Sequence, residues 1–228
     1  MQNRVIYNND YNMTFKAYVS KVYASVASGL LVSGVVAYFA RNLIYSFGTI
    51  GIFLPLIIEL IIAIYFSRRL MTMSKTSAYV CFYLYSILTG LSLSYIFLVY
   101  SDADLTFAFV STTILFICMS IIGNNTNLDL TKFSSYLFYG LIGIIIATIL
   151  NFFLRSGALN LIVSYIAVII FLVLIAYDMQ MLRNLYNNGL NDGELYDKLL
   201  IFGAFQLYLD FINLFLRILQ IFSNRRRN

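Results

Sequence analysis

Residues 199–222 read LLIFGAFQLYLDFINLFLRILQIF, a 24-residue stretch in which only Asp210 and Arg217 carry charge. A transmembrane helix needs about 20 mostly apolar residues, so the stretch is long enough to cross a bilayer. Asp210 stands 11 residues beyond Leu199, about 17 Å from that end and close to mid-bilayer. At about 100° per residue, Gln206, Asp210, Asn213 and Arg217 fall within an arc of roughly 100°, and Gly203 shares that face. A helix with one polar stripe and an apolar remainder belongs at the centre of a bundle, its stripe turned to other helices or to water. This segment is therefore expected to be the central helix of a polytopic membrane protein.

The rest of the chain supports that class. Of 228 residues, 61% are apolar and 11% charged, where soluble domains run about 45–50% and about 25%. The mean hydropathy is +0.84. Further apolar runs lie at 22–40, 47–66, 78–100, 105–123, 134–154 and 158–177. The expected fold is thus an all-α integral membrane protein of seven transmembrane helices, six of them packed around the semi-polar seventh. Residues 1–21 form an N-terminal segment, 22–222 the transmembrane domain and 223–228 a basic tail. The connections 101–104 and 155–157 are so short that the helices they join must be antiparallel neighbours. Nothing is left over for a soluble domain.

Basic residues orient the bundle. One side receives Arg4, Lys16, Lys21, Arg68, Arg69, Lys75, Lys132, Arg183 and Lys198; the other receives Arg41, Arg155, Arg225, Arg226 and Arg227. The positive-inside rule places the first set, and with it the N-terminal segment, in the cytoplasm. Seven crossings then put the tail on the opposite side. The three tail arginines pull the other way, toward a re-entrant last segment, but 24 residues suffice to span. Residues 1–21 are polar and Asn-rich, without the apolar core of a secretory signal.

Several chemistries are excluded. The chain has no His, which removes Ser-His and Cys-His nucleophilic sites and His-bearing metal centres. Gly90-Leu91-Ser92 is half of a nucleophile elbow and lacks the closing Gly. No Gly-rich loop precedes a Lys at phosphate-binding spacing, and the basic residues sit at helix ends rather than on a face that could read nucleic acid. Cys81 and Cys118 lie in separate apolar spans and read as small hydrophobes. Neither an enzyme nor a bound cofactor is expected. Ser25, Gly29, Ser33 and Ala37 recur every four residues, a small-residue stripe that lets helices approach closely in lipid. Gly90, Ser92 and Ser94, and Gly140 and Gly143, can serve the same end.

Ionisable residues at membrane depth are expensive and mark function. Glu59, Asp178, Asp210 and Arg217 qualify. Arg217 lies two turns from Asp210, about 10 Å away and too far to pair directly, so a buried structural ladder would still leave Asp210 needing another partner. Asp178 lies just past the run 158–177 and reads as a helix-end residue on its own. Met179, Met181 and Leu182 extend the apolar character to Arg183, however, a snorkelling anchor. That extension brings Asp178 toward the level of Asp210 on an antiparallel helix.

The motifs around these residues carry a resemblance. AYDMQ at 176–180, GAFQLYLDFINLF at 203–215 and TGLSLSYIF at 89–97 are similar to the Bax inhibitor-1 family, the transmembrane BAX-inhibitor-motif proteins, in their compact bacterial form. The likeness runs from YVSKVYA at 18–24 to the basic tail. Met179 departs from it, standing where a small polar residue is usual, and the 124–132 connection is less basic than in relatives. The resemblance implies a cytoplasmic N-terminus in a bacterial inner membrane and a pH-dependent leak of Ca²⁺. It implies that Asp178 and Asp210 form a hydrogen-bonded proton sensor; once deprotonated, the two carboxylates are also a candidate transient Ca²⁺ site. It further implies that an Arg at the end of the second span, Arg68 or Arg69, latches onto the pair, and that Glu59 matches an acidic position of some members.

Physical chemistry is compatible with that mechanism. Two touching carboxyls cannot both ionise cheaply and so hold one proton between them; losing it adds negative charge that attracts a hard divalent cation. Two other classes stay open. One is a non-conducting membrane protein that modulates proteases or cell-death factors. The other is a proton-coupled cation antiporter, which inverted repeats would favour; no convincing repeat is present.

Overall fold

Polar caps mark where the apolar runs become helices. The computed structural model describes residues 14–189 and 193–227. Residues 1–13, which hold Arg4 and most of the N-terminal segment, lie outside the described residues. So do Asn228 and the side chains of Arg225, Arg226 and Arg227. Helix α1 (Phe15–Arg69) begins at Thr14, whose hydroxyl accepts from the Ala17 N–H. Ser74 caps α2 (Lys75–Leu93) in the same way. Ser101 opens α4 (Asp102–Asn125) with a reciprocal cap: its Oγ accepts from the Asp104 N–H and donates to Asp104 Oδ2 at 2.7 Å. Each cap satisfies donors that a helix start would otherwise leave bare. A four-residue helix α3 (Ile96–Val99) continues α2 after a break at Ser94, whose hydroxyl takes the Leu91 carbonyl at 2.6 Å. The remaining helices are α5 (Ser134–Leu154), α6 (Gly157–Gly189) and α7 (Gly193–Arg227).

The expected spans 22–40 and 47–66 belong to one 55-residue element, α1, with no loop between them. It is not straight. Tyr18 packs on Tyr196 and Phe66 packs on Phe205, with ring centroids 5.2 and 4.7 Å apart. Along a straight helix Tyr18 and Phe66 would be about 72 Å apart, whereas Tyr196 and Phe205 are separated by about 13.5 Å. The chain must turn back, and it does so at Gly48, where φ is 57° and ψ −139°. Only glycine reaches that region at little cost. The expected loop at 41–46 is helical because a single glycine does its work. Among the described residues six helices are long and apolar enough to cross a membrane, one of them Phe15–Asn42 from the first arm of α1; the segment 47–66 is the second arm.

Other boundaries shift outward. The first helix starts at Phe15 rather than 22, α7 starts at Gly193 rather than 199, and α6 runs past Tyr177 to Gly189. Polar ends extend these helices because interfacial turns continue the backbone hydrogen bonding beyond the apolar run.

Helix α7 occupies the centre. In its spanning window 67% of residues are buried, against 11% for α5, and it packs on α1, α2, α4 and α6. Lys75 pairs with Asp197 at 2.6 Å, and the Phe107 and Phe222 rings lie 6.5 Å apart. The start of α7 therefore lies beside the starts of α1 and α2, and its end beside the start of α4. Close crossings use small residues, as association in lipid demands. A Cβ at Gly123 would lie 2.1 Å from the Ala176 carbonyl oxygen, which fixes how near α4 comes to α6. Gly29, Ser33 and Ala37 of the stripe are buried, and Gly90 abuts Ser33 and Val36. Gly143 differs: nothing lies within 4 Å of a Cβ there, so it makes no close crossing. Helix α5 packs on α6 but scarcely on α7, and a gap opens between α5 and α7.

Candidate functional site

That gap is the candidate site. It is a cavity of about 410 Å³ lined by Gln206, Asp210, Asn213 and Arg217 of α7, by Tyr177 and Asp178 of α6, and by an apolar wall from α5 that includes Leu137 and Ile144. The polar stripe of α7 faces the cavity because the other sides of that helix are taken by α1, α2 and α4. Asp178 reaches it because α6 runs on to Gly189, which sets this carboxyl 11 residues, about 16 Å, inside the helix end.

Asp178 and Asp210 are only 5% and 7% exposed, and their carboxyls lie within hydrogen-bonding reach of each other. Carboxylate oxygens only accept, so such a bond requires one proton on the pair. Asp210 Oδ2 is buried and receives no donor among the described residues. An unmet acceptor of this kind, on the wall of a cavity, is poised for a proton, a water or a cation.

Arg217 is held at the other end of the stripe. Its guanidinium donates to Thr148 Oγ1 of α5 at 3.1 Å and to Gln220 Oε1 at 3.2 Å, and Gln220 Oε1 also accepts from Ser164 of α6 at 2.9 Å. These neutral oxygens stand in for a carboxylate partner, and the expected two-turn separation from Asp210 holds. Asn213 donates from Nδ2 to the Leu209 carbonyl at 2.8 Å. Among the described residues no three His, Cys, Asp or Glu side chains converge. Two carboxylates and two side-chain amides suit a hard cation in transit better than a resident one.

The other expected residues lie elsewhere. Glu59, on the second arm of α1, sits beside Thr89 and Ser92 of α2, and its Oε1 is buried with no hydrogen-bond partner among the described residues. It does not line the cavity. Arg68 and Arg69 are exposed at the end of α1 and do not line it either. Of the arginines considered, Arg217 is the one that shares the cavity with the pair.

Two features escaped sequence reasoning. Gln180 clamps the connection before α5: its Nε2 donates to the Leu128 carbonyl at 2.7 Å and its Oε1 accepts from the Leu130 N–H at 2.8 Å. Arg183, one turn further, donates to the carbonyls of Asn124 and Thr126 at the end of α4. Both pin α6 just beyond Asp178, and the signal for Gln180 was its place in AYDMQ. In the same connection, the Thr131 hydroxyl and N–H donate to Asp129 and hold its carboxyl below the usual carboxylate range. The second feature lies on the opposite face of α7. There Ser33, Ser86 and Tyr208 join in a buried network, with Ser33 Oγ 2.7 Å from both the Ser86 carbonyl and the Tyr208 hydroxyl.

Comparison with known proteins bears on this arrangement. Residues 15–227 match the family model described as inhibitor of apoptosis-promoting Bax1. The inner membrane protein YbhL of Escherichia coli (strain K12) is 42% identical over 217 residues, covering 92% of this chain and 93% of the relative. The uncharacterized protein RP147 of Rickettsia prowazekii (strain Madrid E) is 39% identical over 227 residues, covering 96% and 94%. A protein of Borreliella burgdorferi is 37% identical over 217 residues, covering 92% and 93%.

Proposed function

The chain belongs to the Bax inhibitor family of multi-pass membrane proteins, and from that premise we propose that it is a pH-sensitive Ca²⁺ leak pathway gated by Asp178 and Asp210. The observation that carries the reading is the pair itself: two buried carboxyls within reach of one another on the wall of a cavity that also receives Gln206, Asn213 and Arg217. With one shared proton, the pair ties α6 to α7. When the proton leaves, the added negative charge loosens that tie and offers oxygen ligands to a divalent cation. The charged and titratable groups around the pair are Tyr177 on α6 and Arg217 on α7. The proposed setting is a bacterial inner membrane, the location in the name of the Escherichia coli relative, with the start of α1 cytoplasmic and the end of α7 on the far side. A reporter fused after Asn228 that works only outside the cytoplasm should be active there; activity of a cytoplasm-only reporter would overturn this orientation.

The test is flux. Purified protein in liposomes with a trapped Ca²⁺ dye should leak without an imposed proton gradient, at a rate that changes with pH. Asp210→Asn, which keeps shape but cannot titrate, should flatten the pH profile while the protein still folds. Flux that needs a proton gradient would mean an exchanger. No flux at any pH would mean a non-conducting interaction protein.

A further inference from the structure

A second and larger cavity, about 910 Å³, lies on the opposite flank of the bundle, between the first arm of α1 and α4. Its floor is Phe211 of α7, and its walls include Leu31, Gly34, Phe109 and Ile117. Helix α1 packs on α2 and α7, and α4 on α6 and α7, so a trough remains between α1 and α4. Leu31 is 66% and Ile117 51% exposed along it. A side chain at Gly34 would meet nothing within 4 Å. From Tyr23 to Val35 the trough follows α1 for about 18 Å, close to one leaflet of a hydrocarbon core about 30 Å thick. The lining is apolar throughout apart from Tyr23 and Thr113.

Its two ends differ in charge. At the Tyr23 end, the tyrosine hydroxyl donates to Met179 of α6 at 3.7 Å. One turn further along α6, Arg183 reaches the end of α4. Lys16 is exposed and lies seven residues before Tyr23, two turns away on the same face of α1. The nearest connection contributes Asp129, whose carboxyl is taken up by Thr131. At the other end α4 opens on Asp102 and Asp104, and Arg41 is stacked on Tyr38 at 4.6 Å. A molecule with an apolar tail one leaflet long and an anionic head fits the trough in one orientation only.

We propose that this trough binds an acyl chain of an anionic phospholipid, with the headgroup phosphate held between Lys16 and Arg183. Basic residues at the membrane surface favour anionic lipids by about fivefold each. The site is independent of the carboxyl pair.

The chain has no Trp, so one introduced indole reports without background. The test places it in the trough (Ile117→Trp, with Leu31→Trp as a second position) or on the outer face of α5 (Ile146→Trp). Each protein is reconstituted in mixed phosphatidylcholine and phosphatidylglycerol vesicles in which one lipid at a time carries brominated chains. Brominated phosphatidylglycerol should quench the trough indole at about 25-fold lower mole fraction than brominated phosphatidylcholine, with no such preference at position 146. Lys16→Gln should reduce the preference, and Gly34→Phe should weaken quenching by both lipids. Equal quenching by the two lipids at both trough positions would overturn the proposal. So would loss of all lipid quenching in the trough as protein density rises, which would assign it to a second copy of the chain.

Discussion

The two faces of α7 handle polarity in opposite ways. Toward α1 and α2, Tyr208 meets Ser33 and Ser86 in a tight network of neutral hydroxyls and carbonyls, with distances of 2.7 Å. Toward α5 and α6, the same helix presents Asp210 and Arg217 to an open space. Neutral groups that satisfy one another cost little to bury, and they hold the bundle together. Charged groups set against a void cost more and are tolerated for what they can bind or release. The Ser33–Tyr208 network therefore accounts for structure, and the proposed ion path belongs to the open face.

Substitutions can break or sharpen that contrast. The largest effect is expected on the open face. Asp178→Asn and Asp210→Asn should each erase the same pH transition in Ca²⁺ flux, and the double variant should add almost nothing, because a shared proton titrates as a property of the pair. Separable, additive shifts would show two unrelated carboxylates. Next comes Arg217→Gln. A guanidinium about 10 Å from a divalent cation opposes it by about 3 kcal/mol at an effective dielectric of 20, before screening. Its removal should raise flux severalfold without moving the pH midpoint far; unchanged flux would place the ion's path elsewhere. On the opposite face, Ser33→Ala should cost about 1 kcal/mol, in the range measured for hydrogen bonds between transmembrane helices. It should lower the melting temperature in detergent and leave the pH profile of flux intact. A changed profile there would join the two faces into one device.

The smallest effect is expected at Asp129. Its carboxyl lies below the usual carboxylate range when folded. The stability it contributes is therefore fully present above the unfolded value, near pH 4, and is lost as pH falls through the folded one. Asp129→Ala should produce a small, constant drop in melting temperature from pH 5 to 8. That difference should close only in stronger acid; a difference that closes near neutrality would contradict the assignment.

How far the sequence could be read depended on whether the information was periodic. The stripe of Gln206, Asp210, Asn213 and Arg217 repeats with the helical turn, so its common face could be recognised before any packing was known. Asp178 could be placed only by seeing that Met179, Met181 and Leu182 prolong its helix. The reversal at Gly48 was not legible, because nothing local distinguishes it from Gly34 or Gly51, which remain in helix. The Ser33–Tyr208 contact joins residues 175 apart in the chain, a distance no window spans. The cavity escaped as well. It exists because α5 stays off α7, and a helix apolar on every side does not announce which neighbour it will touch.

Helix α5 carries a mechanical consequence. With 11% of its spanning residues buried, most of its surface borders hydrocarbon, and in its second half Thr148 ties it to Arg217. One wall of the carboxyl cavity therefore has lipid rather than protein behind most of its length. Under the proposed gating, thinning or thickening the bilayer would shift α5 and this wall with it, so bilayer thickness would join proton concentration as a variable of the site.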